Sequence, residues 1–442
     1  MRDRSLRYHV LILIAIGLFS LFVSPQPACA DTITVCTTGC DFTTVQAAIE
    51  DEGTQSGDTI SLLDAVHTEP GIVVDKDVMI QGQGPMDTIV QAAEAMEAGD
   101  DRVFYITAGA TATIRDMTIR FGNPISEPES GGGIRNEGTL TVEDCLITQN
   151  SASAGGGILN DGSLTVINST ISDNVARGGH NRYVECSTGG GMKNMTGRAT
   201  LINTTISGNT AEGKGGGIHV ACPAMQVLIN STISGNTTMN DGGGIFLNGE
   251  GRFTHATITD NTAVNGGGIY IEGSGERDVI RGQLSYTHTI IAGNTATRPN
   301  YSVADCFTGD HATIATNADN FVGDGSCNAV FSGDPLLEPL ADSVADFSDV
   351  SHIPQTHALQ PGSPAINAVT ADECGVETDQ RGAPRPHGSG CDLGAFEAQT
   401  TEEQETPSAP CIGSVATALA GSLIPAVFLL RQRSEKSENA AH

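Results

Sequence analysis

The chain of 442 residues has no tryptophan, and aromatic residues make up only 4% of it. Few rings are available as stacking platforms, which weighs against a glycan-processing cleft built on them. Positive charge is also scarce: 22 Lys and Arg stand against 52 Asp and Glu, a formal charge of -30. Nucleic acid needs a basic surface for its phosphates and is thereby excluded as a partner. An acidic surface instead keeps a secreted protein soluble and takes up divalent cations only diffusely. No CxxC pair occurs and the histidines are scattered, so neither a metal site nor a cofactor is expected. No apolar pattern of 3.6-residue period runs far enough through the middle of the chain to make a helical body.

Glycine is abundant, at 54 residues. Three glycines and an aliphatic residue recur from Gly131, Gly155, Gly189, Gly215, Gly242 and Gly266, in steps that are, by subtraction, 24, 34, 26, 27 and 24. Such a period marks one structural unit per repeat. Between the triplets run TVEDCLITQN, TVINSTISDN, TLINTTISGN, VLINSTISGN, FTHATITDN and YTHTIIAGN. These stretches are β-branched, small or polar, and alternate over short distances, so each unit should be several short strands joined by tight turns. The fold class expected is an all-β parallel β-helix, in which each strand pairs with its equivalent one coil on, about 4.8 Å away.

Aligning the second motif on Ile119, Ile147, Ile171, Ile206, Ile233, Ile258 and Ile291 places Asp116, Asp144, Asn168, Asn203, Asn230, His255 and His288 at one register. Asn and Asp tolerate left-handed backbone, and stacked amides can bond coil to coil, so this column reads as a structural turn ladder. A second column, Asn150, Asn174, Asn209, Asn236, Asn261 and Asn294, reads the same way. A carboxylate–histidine metal site fails on order, because the acids lie several coils from the histidines.

The glycine and asparagine repeats resemble those of the pectin-lyase-like right-handed β-helix group and of polymorphic outer membrane proteins. HALQPGSPAINA, 357 to 368, followed by DQRGAPRPHGSGCDLGAFE, 379 to 397, resembles the signature of the choice-of-anchor Q domain family. The resemblance covers about Asp58 to Glu397. It implies a β-helical surface protein attached through its C-terminal element, and it carries no defined chemistry.

The two ends fit that picture. Residues 1–30 contain Arg2, Arg4 and Arg7, an apolar run, and small residues at Ala28 and Ala30, so a secretory signal peptide cleaved before Asp31 is expected. A lipoprotein reading of Cys29 lacks the aliphatic residue three positions earlier. Ile412–Leu430 has no charge, and its 19 residues reach about 28 Å as a helix, enough for a bilayer core. Arg431, Arg433 and Lys436 then place the last twelve residues, 431–442, in the cytoplasm. A sorting signal processed at Cys411 is the alternative, although no LPxTG is present. Residues 398–411 read as a linker.

Cysteine usage fits an oxidising compartment, with Cys36–Cys40, Cys306–Cys327 and Cys374–Cys391 as the expected pairs. Cys186 with Cys222 is a weaker pairing, and Cys145 is left as a buried small hydrophobe. Within 31–57, DFTTVQAAIEDEG reads as a helix capping the first coil, with Thr43 and Gln46 as a capping box and Val45, Ala48 and Ile49 on one face. The coils should occupy 58–300, and 301–397 should form a terminal capping region on the last of them.

In each coil the residue after GGG-Ile or GGG-Met should point outward, giving Arg135, Leu159, Lys193, His219, Phe246 and Tyr270. His219, Phe246 and Tyr270 would then form an exposed aromatic stripe, the leading candidate for ligand contact. The long step leaves a loop, 176–188, whose His180, Arg182 and Tyr183 are further candidates. No acidic cluster lies beside a basic residue in register, so no catalytic residue is assigned. The sequence favours a secreted, membrane-anchored β-helix at the cell surface, with an adhesive or envelope role and surface glycans or envelope components as partners. A polysaccharide lyase or hydrolase is the alternative, resting on fold alone.

Overall fold

A computed structural model describes residues 30–124, 131–178, 188–273, 282–298, 303–341 and 354–399. Residues 1–29 of the expected signal peptide, the segment Ile412–Leu430 and its tail, and the loop residues His180, Arg182, Tyr183 and Cys186 lie outside the described residues. Among those described, no helix is long and apolar enough to cross a membrane.

The chain is an all-β, right-handed parallel β-helix. A typical coil has a three-residue strand after the glycines, as in Ile134–Asn136, and a five-residue strand, as in Thr139–Glu143. A corner residue leads to a second three-residue strand, as in Leu146–Thr148, and a two-residue strand, as in Ser151–Ala152, completes the turn. Stacking these gives four parallel sheets of 9, 11, 10 and 6 strands, called here the glycine, long, corner and short sheets. The register matches the sequence alignment. Ile119, Ile147, Ile171, Ile206, Ile233, Ile258 and Ile291 pair in that order, and all are fully buried. Strand pairing extends past residue 300, to Cys306–Thr308, Thr313–Ala318 and Phe321–Val322. One further coil therefore follows the last glycine triplet.

Each glycine of the triplet answers a different demand. The first is left-handed, with φ between 57° and 75° at all six positions, a region costly for residues with a Cβ. The second lies where successive coils touch: a Cβ on Gly156 would meet the Gly190 carbonyl oxygen at 2.4 Å. The third faces an asparagine, and a Cβ on Gly191 would sit 2.9 Å from Asn209 Nδ2.

At the N-terminal end, strand Thr32–Val35 already belongs to the long sheet, and helix α1, Val45–Glu50, packs Val45, Ala48 and Ile49 on the core. Its N-cap is Thr44, whose side chain accepts from Ala47 N, rather than Thr43. Gln46 is drawn instead to the next coil, where its Oε1 accepts from Val73 N at 2.7 Å. The free amides of Val45 and Gln46 donate to Glu69, each at 2.8 Å, which satisfies the first turn with a carboxylate. The disulfides Cys36–Cys40, Cys306–Cys327 and Cys374–Cys391 are formed. Cys145 is free and buried, its thiol pKa pushed up to about 12 by burial, and Cys222 is free and exposed.

Candidate functional site

The outer face of the glycine sheet carries one residue per coil in register: Tyr105, Arg135, Leu159, Lys193, His219, Phe246, Tyr270 and Phe307. Neighbouring rings touch. His219 meets Phe246 edge-on at 5.0 Å, Phe246 stacks on Tyr270 at 5.4 Å, and Tyr270 stacks on Phe307 at 4.8 Å. Leu159 and Phe246 are buried yet lie outside the continuous core to which Ile158 and Ile245 belong, so the column does point away from the core.

Its exposure differs from the sequence expectation. His219 and Phe246 are only 2% and 1% accessible, while Tyr270 is half-buried. Part of the reason is a polar strut laid over the rings. Lys214, just before one glycine triplet, pairs at 2.9 Å with Glu272, two coils further on, and its Nζ sits 4.3 Å from the centre of the Phe246 ring. An ammonium over a ring face is attracted by the ring quadrupole, so the lysine both covers and binds the column. Burial, with Lys193 and Lys214 adding like charge, pushes the His219 imidazole down to about 3. It is therefore neutral at physiological pH, and its Nδ1 has no hydrogen-bond partner. At the other end of the column Tyr105 and Arg135 are half-buried and converge on Glu137: Tyr105 donates its hydroxyl at 2.8 Å and Arg135 pairs at 2.6 Å.

The signature residues near the C-terminus form a closed structural knot. Arg385 and Glu397 pair at 2.9 Å with both side chains fully buried, and Arg385 also donates to the Asp392 and Gly394 carbonyls. Arg381 pairs with Asp379 and lies over the Phe396 ring at 3.7 Å. Asp379, Asp392 and Glu397 each accept backbone amides on both carboxylate oxygens. These acids are saturated, and none faces a site where it could serve as a general acid or base.

This C-terminal module, 354–399, packs on the last coils through Ile290, Ala292 and Phe321. It also runs back along the corner sheet, beyond the terminal position expected from sequence. Gln380 straddles two coils, donating to Thr205 Oγ1 at 2.8 Å and accepting from Thr232 Oγ1 at 2.6 Å. Ala395 N donates to Thr257 Oγ1 at 2.9 Å. The outward hydroxyls of the repeated Thr-Ile-Ser and Thr-Ile-Thr strands thus serve as its seat.

The corner column is left-handed throughout, with φ between 47° and 59° from Asp116 to His288. As a hydrogen-bonded ladder it is only partial. Asn203 Nδ2 reaches Asn168 Oδ1 at 3.1 Å, but Asn230 and His255 turn to the C-terminal module, and Arg115 gathers Asp116, Glu143 and Asp144. The second column is unbroken: from Asn174 to Asn294 each Oδ1 accepts both the amide N–H and the Nδ2 of the preceding rung, and Asn150 Oδ1 accepts from Gly122 N. A third row, Asn136, Asn160 and Asn194, escaped the sequence reading. Its signal was there, an asparagine two residues after GGG-Ile or GGG-Met in the first three repeats. Tyr105 and Phe307 were missed because no glycine triplet precedes them.

Residues 102–319 match a family described as right handed beta helix region. No curated protein matches. Among solved structures, pectate lyase Pel9A is similar over 84% of this chain and 96% of its own, with 16% identity and a TM-score of 0.52. Pectin methylesterase from carrot aligns over 64% of this chain and 88% of its own, with 13% identity and a TM-score of 0.34. At this identity the likeness to pectate lyase Pel9A establishes the right-handed β-helix fold it shares with this chain and nothing about chemistry.

Proposed function

We propose that this chain is a secreted β-helical protein held at the cell surface by Ile412–Leu430, where it binds surface glycans or envelope components without transforming them. The choice-of-anchor-like sequence at 357–397 supports surface attachment. The observation that carries the binding role is the in-register column of the glycine sheet, where stacked rings stand beside lysines and arginine on a chain of charge -30. Ligand contact belongs to its half-buried ends, Tyr270 with Phe307 and Tyr105 with Arg135, rather than to His219 and Phe246. Rings offer contact area at little cost in side-chain entropy.

A second reading, a polysaccharide lyase or hydrolase, draws on the fold it shares with pectate lyase Pel9A and on His219, neutral, with a free Nδ1 and two lysines beside it. One assay separates the two. The purified protein is incubated with a panel of acidic polysaccharides, with and without calcium, and followed for binding and for unsaturated or reducing products. The binding reading expects retention without products, and a loss of retention in a Tyr270→Ser, Phe307→Ser variant of unchanged melting temperature. Products abolished by His219→Ala would establish the enzyme instead.

A further inference from the structure

Along the corner column the residue type changes from Asp to Asn to His, while the backbone stays left-handed. Asparagine suits that backbone at least as well as histidine, so His255 and His288 need another reason. They occur where the C-terminal module covers the corner. His255 Nε2 lies 2.7 Å from the Cys374 carbonyl oxygen, its ring lies 4.9 Å from that of His288, and the His288 carbonyl accepts from Gly394 N at 2.8 Å. A third histidine, His357, lies within the module, with Nδ1 at 2.7 Å from the Glu338 carbonyl and Nε2 at 2.8 Å from Ser234 Oγ. All three are buried, and Nδ1 of both His255 and His288 has no partner. A second proton on the His255 ring would be a buried charge, eased only by the Cys374 and Gly394 carbonyls beside it.

The charged neighbours do little to relieve this. Arg385 faces both His255 and His288, whose rings also face each other. Of these two, only His288 has carboxylates beside it, Asp319 at 3.9 Å and Glu373. His357 has Asp260 as its one acidic neighbour.

We propose that His255, His288 and His357 form an acid-released clasp, which holds residues 354–399 against the coils at neutral pH and frees them when the imidazoles are protonated. The direction follows from linkage. Burial is the first cause in all three, pushing His255 down to about 3 and lowering His288 and His357. A histidine whose docked pKa lies below its free value of about 6.5 gives its full contribution above that pH and loses it as the pH falls. Each histidine can weaken docking by at most about tenfold per pH unit. Asp392 and Glu397 act in the opposite sense, since burial raises both. They take up protons while docked, which favours docking as the pH falls through their raised pKa values toward the free carboxyl range. Loss of the histidine contribution therefore begins at about pH 6.5 and deepens as the pH falls.

Hydrogen–deuterium exchange on the intact protein tests the clasp. After correction for intrinsic rates, the amides of Gly394 and Ala395, which bond to His288 and Thr257, should lose at least tenfold in protection between pH 7 and 5.5. Amides of the asparagine ladder, such as Asn236, should not change, which distinguishes release from general unfolding. In His255→Asn, His288→Asn, His357→Gln the pH dependence should disappear, and His357→Gln alone should reduce its slope by up to one proton. Wild-type protection that holds to pH 5, or a triple variant that still releases with acid, overturns the proposal.

Discussion

Asn203 and Asn209 flank the same three-residue strand, Thr205–Ser207, and the repeat places an equivalent of each in coil after coil. Asn209 is fully buried. Its Nδ2 donates to Asn236 Oδ1 at 2.9 Å and to the Ile171 carbonyl at 2.9 Å, while its own Oδ1 accepts from Asn174 N and Nδ2. Asn203 makes one contact up the column, to Asn168, and its Oδ1 has no partner. At the Asn209 corner the side chain is the structural element, because it both gives and takes on each coil. At the Asn203 corner the left-handed backbone is the element, and any side chain that tolerates it will do. That freedom lets the corner column run through Asp, Asn and His while the ladder stays asparagine, and it is the corner column that contacts the C-terminal module.

The largest effect that would test this contrast is expected in Asn236→Ala. It strips partners from Asn209 N and Nδ2, from the Ile206 and Ser234 carbonyls, and from Asn261 Oδ1. Leaving buried donors and acceptors unsatisfied should cost about 3 kcal/mol in urea unfolding. A loss no greater than that of Asn203→Ala would remove the distinction between the two corners.

A smaller effect is expected at the end of the ladder. Each asparagine needs an acceptor on the next coil, and the row can stop only at a group with no donors left to satisfy. Asp305 is that group: its Oδ1 accepts from Asn294 N and Nδ2, each at 3.0 Å, and its Oδ2 accepts from Asp324 N at 2.9 Å. Asp305→Asn would set an amide N–H against a backbone N–H in either orientation of the side chain, a cost of about 1 to 2 kcal/mol. Equal stability of the variant and wild type would mean that the acceptor character of the last rung is unimportant.

The same contrast marks what was legible in the sequence. The isoleucine alignment reproduced the strand register from Ile119 to Ile291, because the glycine triplets from Gly131 on and the buried isoleucine of every coil leave little freedom to slip. Cysteine spacing identified three bonded pairs. Repeat periodicity specifies what a residue shares with its neighbours above and below, and it is silent about what lies beside the stack. The roof of Lys214 and Glu272 over Phe246 and the seating of Gln380 on Thr205 and Thr232 join residues far apart in the chain without repetition. The aromatic column was therefore visible as a column, whereas its burial was not.

The smallest expected effect is the most pointed. If Asn203 is present for its backbone, glycine should replace it at little cost, since glycine enters the left-handed region freely and only one hydrogen bond is lost. Asn203→Gly should stay within about 0.5 kcal/mol of wild type, the backbone relief offsetting most of the lost bond. Asn203→Ala removes the same bond and keeps a Cβ at φ 51° without the polar side chain that eases the left-handed region, which should make it about 1 kcal/mol worse than glycine. The ordering should reverse at Asn236, where the side chain matters and φ is ordinary: there glycine adds chain entropy to the same loss of partners and should be at least as harmful as alanine. Finding Asn203→Gly as damaging as Asn203→Ala would show that the Asn168–Asn203 contact, not the turn, stabilises this corner.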